Sequence, residues 1–248
     1  MKIIIAYLYY NLLNFHGENG NIKILKKVLE DQGINVMVKF LAIDEEIEFE
    51  KYDLIYIGSL DSNNEEIIIK HLTKYKKEII KAIKNKKFFL ITGNTLDIFG
   101  SHIIKGHHRI KGLNIFDYYI KREDINFTDE SLFTSKLISE KIIGFQKQNS
   151  LLFNNKYPLF EVIMGIGQNT LSNKEGIHYK NFYGTYLLGP LLIRNPLFFE
   201  SFLKNLILSK VKNFDFKDFN LELEIEAYKT FVELHYSQYI TDVNSFIS

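Results

Sequence analysis

The chain alternates short apolar runs with longer stretches whose apolar residues recur every three or four positions. KIIIAYL (Lys2–Leu8), INVMVKFL (Ile34–Leu41), DLIYIG (Asp53–Gly58) and FFLIT (Phe88–Thr92) read as buried strands. Between the first two, Asn21–Gly33 sets Ile22, Leu25, Val28 and Leu29 at helical spacing, with Gly33 suited to the C-terminal cap. Between the last two, NNEEIIIKHLTKYKKEIIKAIKNKK reads as one long basic helical region with a solvated face. Strands alternating with helices predict parallel pairing and helices on both faces of the sheet. After Gly100 the pattern changes to GLNIFDYYIKRE, LFTSKLI, KIIGFQ and LFEVIMGIG, short strand-like segments with turns between them. These predict an antiparallel extension of the same sheet. Two helices, NPLFFESFLKNLILSKV and LELEIEAYKTFVELHYSQYI, close the chain. The expected class is α/β: a three-layer sandwich with a mixed, mostly parallel central sheet. With no repeat and no Pro/Ser-rich linker, residues 1–248 are read as a single domain, 211–248 forming a C-terminal helical extension.

In such sheets ligands bind at the carboxyl ends of the parallel strands. That rule directs attention to Gly58–Ser62 and to Thr92, Gly93, Asn94 and Thr95 in FFLITGNTLDIFG. The latter is a strand–turn–helix elbow, the arrangement on which many α/β enzymes expose a nucleophile. Thr92 and Thr95 are candidate hydroxyl nucleophiles, weighed against turn and helix-capping roles. Asn94 reads as a turn former, and so does Asp61.

Composition narrows the chemistry. The net charge of +1 argues against an electrostatic nucleic-acid binder. The chain has no cysteine, which excludes disulfides, thiolate metal sites and a thiol nucleophile. GHHRI (Gly106–Ile110) places adjacent histidines that point to opposite faces of an extended segment, so it reads as a solvated loop and no metal site is expected. No apolar stretch is long enough to span a bilayer and no cleavage site follows the N-terminal run, so a cytoplasmic location is expected. His16 lies in the loop after the first strand.

KEGIHYKNFYGTYLLGPLLIRNP (Lys174–Pro196), the early GENGNIKIL, the central LIYIGSLDSNNEE and GLNIFDYY occur in an order found in one family. The chain resembles class I glutamine amidotransferase domains of the cobyric acid synthase type, most of all the glutaminase subunit of lipid II isoglutaminyl synthase. The resemblance extends to about Ser209 and implies a class I glutamine amidotransferase-like fold with a Mur-ligase-like, ATP-dependent partner. It also implies where the chemistry belongs. The family's elbow, Cys-Gly-Gly-Tyr-Gln, falls on Gly93-Asn94-Thr95-Leu96-Asp97, so Gly93 stands at the nucleophile position. The family's catalytic histidine falls on Leu188, and its glycine-rich oxyanion strand becomes Gly58-Ser59-Leu60.

Glutamine hydrolysis needs a thiolate, a histidine to move its proton, and donors for the oxyanion. The implied reading is therefore an inactive glutamine amidotransferase-like subunit that supports its partner in cell-wall precursor modification. Gly58, Ser59, Leu60, Thr92, Asn94 and Thr95 would line what remains of the pocket, with a glutamine-like ligand possible and no cofactor expected. Two alternatives stand beside it: a working glutaminase with an unrecognised nucleophile, and a small-molecule sensor. Glu161 and Glu175 would be candidate third members of a triad, a role without content when the other two are missing. Glycine at position 93 would keep a strained turn at little cost.

Overall fold

A computed structural model of the chain describes residues 1–61 and 63–239. Ser62 and the end of the expected C-terminal extension, residues 240–248, lie outside the described residues. The first half follows the predicted alternation: β1 (Lys2–Leu8), α1 (Asn19–Asp31), β2 (Asn35–Leu41), β3 (Leu54–Ile57), α2 (Glu65–Thr73), α3 (Lys76–Lys84) and β4 (Phe88–Thr92). Gly33, at φ +77°, follows α1 as its cap requires. The expected single basic helix is two helices, broken around Lys74 and Tyr75. The break turns Ile79 and Ile83 of α3 onto the same apolar face as Ile68 and Leu72 of α2.

The second half contains β5 (His102–Lys105), β6 (His108–Lys111), β7 (Tyr119–Ser135), β8 (Ile142–Phe153), β9 (Phe160–Met164), β10 (Lys174–Glu175), β11 (Ile177–Tyr179) and β12 (Phe182–Thr185). It ends in α4 (Leu191–Arg194), α5 (Pro196–Leu208) and α6 (Glu222–Tyr236). The first sheet has the order β11-β12-β4-β3-β1-β2, parallel except for the β11–β12 pair. The segments after Gly100 do not extend it as expected. Strand β12 takes the place beside β4, and the strands from β5 to β10 form a second sheet, β10-β9-β7-β5-β6, with β8 also on β7. GHHRI is correspondingly the turn and outgoing strand of a hairpin, not a loop.

Alternation along the strands builds two cores. Ile3, Ile5 and Tyr7 of β1 face α1 and α5, packing with Leu25, Val28, Phe199 and Leu203. Ala6 and Leu8 face the other way, with Ile55, Ile57, Phe89 and Ile91 against α2 and α3. Helices therefore cover both faces of the parallel sheet. The second sheet adds to both cores: Ile103, Ile120 and Leu152 on the α2/α3 side, Phe133, Ile142 and Phe160 on the α1/α5 side.

A buried ionic cluster joins the two sheets. Arg122 of β7 donates to both Glu65 carboxylate oxygens, at 3.0 and 2.6 Å, and to Asp97 Oδ2 at 2.7 Å. Tyr186 and Ser150 hydroxyls also donate to Asp97. Burial raises the Glu65 carboxyl, while Arg122 pulls it the other way. Removing one member of a buried pair strands the other charge, at a cost of roughly 3–5 kcal/mol. Arg122→Ala is accordingly expected to lower stability by about that amount, against well under half of it for Lys26→Ala at the exposed Lys26–Glu30 pair. Urea unfolding of both variants checks this.

Candidate functional site

The elbow begins where β4 stops. Thr92 is still extended, at φ −117° and ψ 149°, and Gly93 turns to φ +63°. Residues Gly93–Phe99 then form a short 3-10 helix. A side chain at position 93 would be strained by this backbone, as the left-handed region crowds a Cβ atom. It would also have nowhere to go: a Cβ built on Gly93 lies 2.2 Å from Ser59 Oγ and 2.5 Å from Ser59 Cβ. The Ser59 side chain fills the space that a side chain at the turn would need, and it is buried.

The neighbouring strand end is closed in the same way. A Cβ on Gly58 would stand 2.3 Å from the Leu13 carbonyl oxygen, so the loop after β1 lies directly on it. That loop carries apolar Leu12, Leu13 and Phe15, a cluster that would suit a partner surface if exposed together. Leu13 is instead fully buried and Leu12 packs against the core, leaving Phe15 exposed. The loop also delivers Glu18. Its Oε2 accepts from Thr92 Oγ1 at 2.8 Å and from the Tyr56 hydroxyl, and its Oε1 accepts from the Ser59 amide at 3.2 Å. Burial raises the Glu18 pKa, while bonds from Tyr56, Thr92, Ser59 and the Gly189 backbone act in the opposite direction. Asn21 extends the network, donating to Tyr56 Oη at 2.9 Å and accepting from the Leu192 amide.

The expected pocket residues are thus brought together, largely in contact with one another. Gly58, Ser59, Leu60, Thr92 and Thr95 are buried, and Asn94 is half-buried. Thr95 Oγ1 donates to the Gly58 carbonyl at 2.5 Å. Gly93 meets the chain around Leu188 through its backbone, donating to the Leu187 carbonyl at 3.3 Å. Leu188, whose amide donates to Phe145 O at 2.9 Å, lines a separate cleft of about 690 Å³. His16, Gly189 and Arg194 open onto that cleft, and Leu223, Tyr228 and Phe231 of α6 wall it. None of the six expected pocket residues does so. Burial, and then the charge of Lys147, lower the His16 pKa.

Glu161 and Glu175 are separated in character. Glu161 is paired with Lys174 at the surface. Glu175 is fully buried, accepts from the Tyr186 amide at 2.7 Å and from Thr185 Oγ1, and is pushed up to about 8 by burial. Among the described residues no group of His, Asp or Glu could hold a metal ion, and no helix is long and apolar enough to cross a membrane.

The class of this fold is α/β, a mostly parallel sheet with helices on both faces and a glycine turn at the end of β4. The family model of the CobB/CobQ-like glutamine amidotransferase domain matches residues 4–196, and the chain belongs to that family. It is similar to the GatD subunit of lipid II isoglutaminyl synthase (glutamine-hydrolyzing) from Streptococcus pneumoniae, 28% identical, covering 98% of this chain and 92% of the relative. The corresponding subunit from Staphylococcus aureus is also 28% identical, covering 94% and 96%. Among solved structures, a glutamine amidotransferase from Thermotoga maritima aligns with a TM-score of 0.45 at 13% identity, over 94% of each chain.

Two measurements probe this geometry. Gly93→Ala is expected to lose about 2–4 kcal/mol, combining backbone strain with overpacking against Ser59. In Gly93→Ala/Ser59→Gly the overpacking part should return and the strain part remain, so that in a urea double-mutant cycle the double variant loses less than the sum of the two single losses. Glu175 sets a pH dependence. Its carboxyl titrates near 4.5 when unfolded and about 8 when folded, so in that window only the folded chain holds the proton. Its contribution is full below pH 4.5 and declines as pH rises to about 8. Stability of Glu175→Gln relative to the parent should therefore rise between pH 5 and 8, which denaturation at successive pH values measures.

Proposed function

We propose that this chain is a catalytically silent member of the glutamine amidotransferase family, working as a subunit beside a Mur-ligase-like, ATP-dependent partner in cell-wall precursor modification. The observation that carries the silence is local: position 93 is a glycine whose side-chain space is filled by Ser59, in a chain without cysteine. The subunit role rests on the two GatD relatives, which match across almost the whole of this chain. Leu188 at the position of the family's base supports the same reading, because an alkyl side chain cannot move a proton. With no glutaminase to feed it, the partner would take free ammonia or perform another ligation.

The purified chain, alone and together with a Mur-ligase-like protein encoded beside it, should release no ammonia from glutamine above a heat-killed control. Loss of a nucleophile and its base together removes catalysis by several orders of magnitude. Ammonia release that disappears in Thr92→Ala would reverse the proposal in favour of a hydroxyl nucleophile. Sedimentation of the two proteins together should give one complex at micromolar concentration; two independent species would count against the subunit role.

A further inference from the structure

The β5–β6 hairpin carries a concentration of positive charge that the proposed role does not use. Residues 101–116 include Lys105, Arg109, Lys111 and three histidines, and no aspartate or glutamate. The register sorts these by face. His102 lies opposite Lys111 and Ile104 opposite Arg109, while Ile104 also pairs with Lys121 of β7. Side chains of paired residues share a face, so His102, Arg109, Lys111 and Lys121 all stand on the outer face of the second sheet. The intervening Ile103 and Ile120 point the other way and are fully buried, fixing this orientation.

On that face Ser101, His102, Arg109, Lys111 and Asn114 line a hollow of about 370 Å³. Arg109 Nη2 lies 3.1 Å from His102 Nδ1. A guanidinium can only donate, so Nδ1 must accept and the ring proton sits on Nε2. Burial, and then the Arg109 charge, keep His102 below its ordinary pKa. The imidazole is further held by a face-to-face stack on Tyr119, 5.3 Å between centroids at 6°, and Tyr119 stacks in turn on Phe153. The nearest acids in sequence are already engaged: Asp117 with Lys156, Asp97 with Arg122. Lys111 pairs with no described residue, and Arg109 has only the imidazole bond. A guanidinium and an ammonium thus stand together over a hollow with the Asn114 amide on its wall, the Ser101 hydroxyl there being committed to the Tyr118 carbonyl at 3.0 Å. That is the donor set of an anion site, and a guanidinium's fork suits the oxygens of a phosphate group.

We propose that this hollow binds the phosphate or diphosphate group of a small molecule. The site lies on the second sheet, and the assignment does not depend on the silence of the elbow. The test uses the full chain at pH 7 and constant ionic strength, titrated calorimetrically with inorganic phosphate, pyrophosphate and a nucleoside diphosphate. Amide shifts of residues 101–114 are followed in parallel. Pyrophosphate should saturate and shift these amides. The Arg109→Ala/Lys111→Ala variant, which changes only exposed side chains, should lose at least about tenfold in affinity, since each charge-assisted bond to an anion is worth that much or more. Lys26→Ala, on α1, should bind as the parent does. A nucleoside diphosphate that binds tighter than pyrophosphate identifies a nucleotide as the source; equal or weaker binding identifies the diphosphate group alone. Pyrophosphate binding that fails to saturate, that chloride at the same ionic strength reproduces, or that survives in the double variant would overturn the assignment.

Discussion

One guanidinium holds the two sheets of this protein in register. Arg122 comes from the second sheet, Asp97 from the 3-10 helix after β4, and Glu65 from α2 on the face of the first sheet. All three side chains are almost wholly buried. An apolar contact at this place would tolerate sliding; a guanidinium between two carboxylates accepts one arrangement, in which its forks and their oxygens meet. The excess negative charge is eased by the hydroxyls of Ser150 and Tyr186 on Asp97. Ser150 continues a line of buried polar side chains along β8, from Gln148 to Gln146 and across to Ser131 of β7. Buried charge is weak evidence for net stability. Its effect here is positional: it fixes the helix that Gly93 starts.

From that fixed helix the closure of the elbow follows. Gly93 is set so near β3 that the residue after Gly58 decides what fits. A site that performs chemistry must leave a hole for substrate, and a hole costs packing. Here the two strand ends are packed closely: Ser59 lies against Gly93, and Leu13 of the loop after β1 and Glu18 at the start of α1 lie against Gly58. A cleft of about 690 Å³ lies close by, beyond Leu188 and under α6.

The parallel half of the fold was legible because β1, β3 and β4 are buried on both faces and the intervening helix has a clear apolar stripe. The second sheet was not, since a strand with alternating polarity looks the same whichever sheet it joins. Only the pairing of β12 with β4 excludes the later strands from the first sheet, and that pairing joins residues almost a hundred positions apart. Nothing in local pattern separates α2 from α3, because Lys74 and Tyr75 are ordinary helix residues. The positions of Gly93 and Leu188 came from family resemblance, not from spacing. Glu18 was hidden for a physical reason: a glutamate between glycine and asparagine in a polar loop reads as solvated. Its burial depends on Tyr56 and Thr92, which no local pattern connects to it. Arg122 was hidden likewise amid polar Lys121 and Glu123, and Asp97 as a lone carboxylate in an apolar run, their pairing arising only when the two sheets meet.

The hydroxyl groups around the elbow show what a replacement chemistry would have required. Thr92 Oγ1 donates to a carboxylate whose pKa is raised, which is the hydrogen bond of a nucleophile to its base. Geometry alone would admit the pair. Thr92 and Glu18 are both completely buried, and Glu18 is held from four directions by Tyr56, Ser59, Thr92 and Gly189. Thr95 is committed to the Gly58 carbonyl, and the Tyr56 hydroxyl lies between Glu18 and Asn21. A nucleophile must reach a substrate atom at bonding distance, and each of these oxygens faces protein on every side. Their bonds join β3, β4, α1 and the Leu187–Leu192 segment at the strand ends where a substrate would otherwise enter. The polar groups at this edge act as internal ties between those elements.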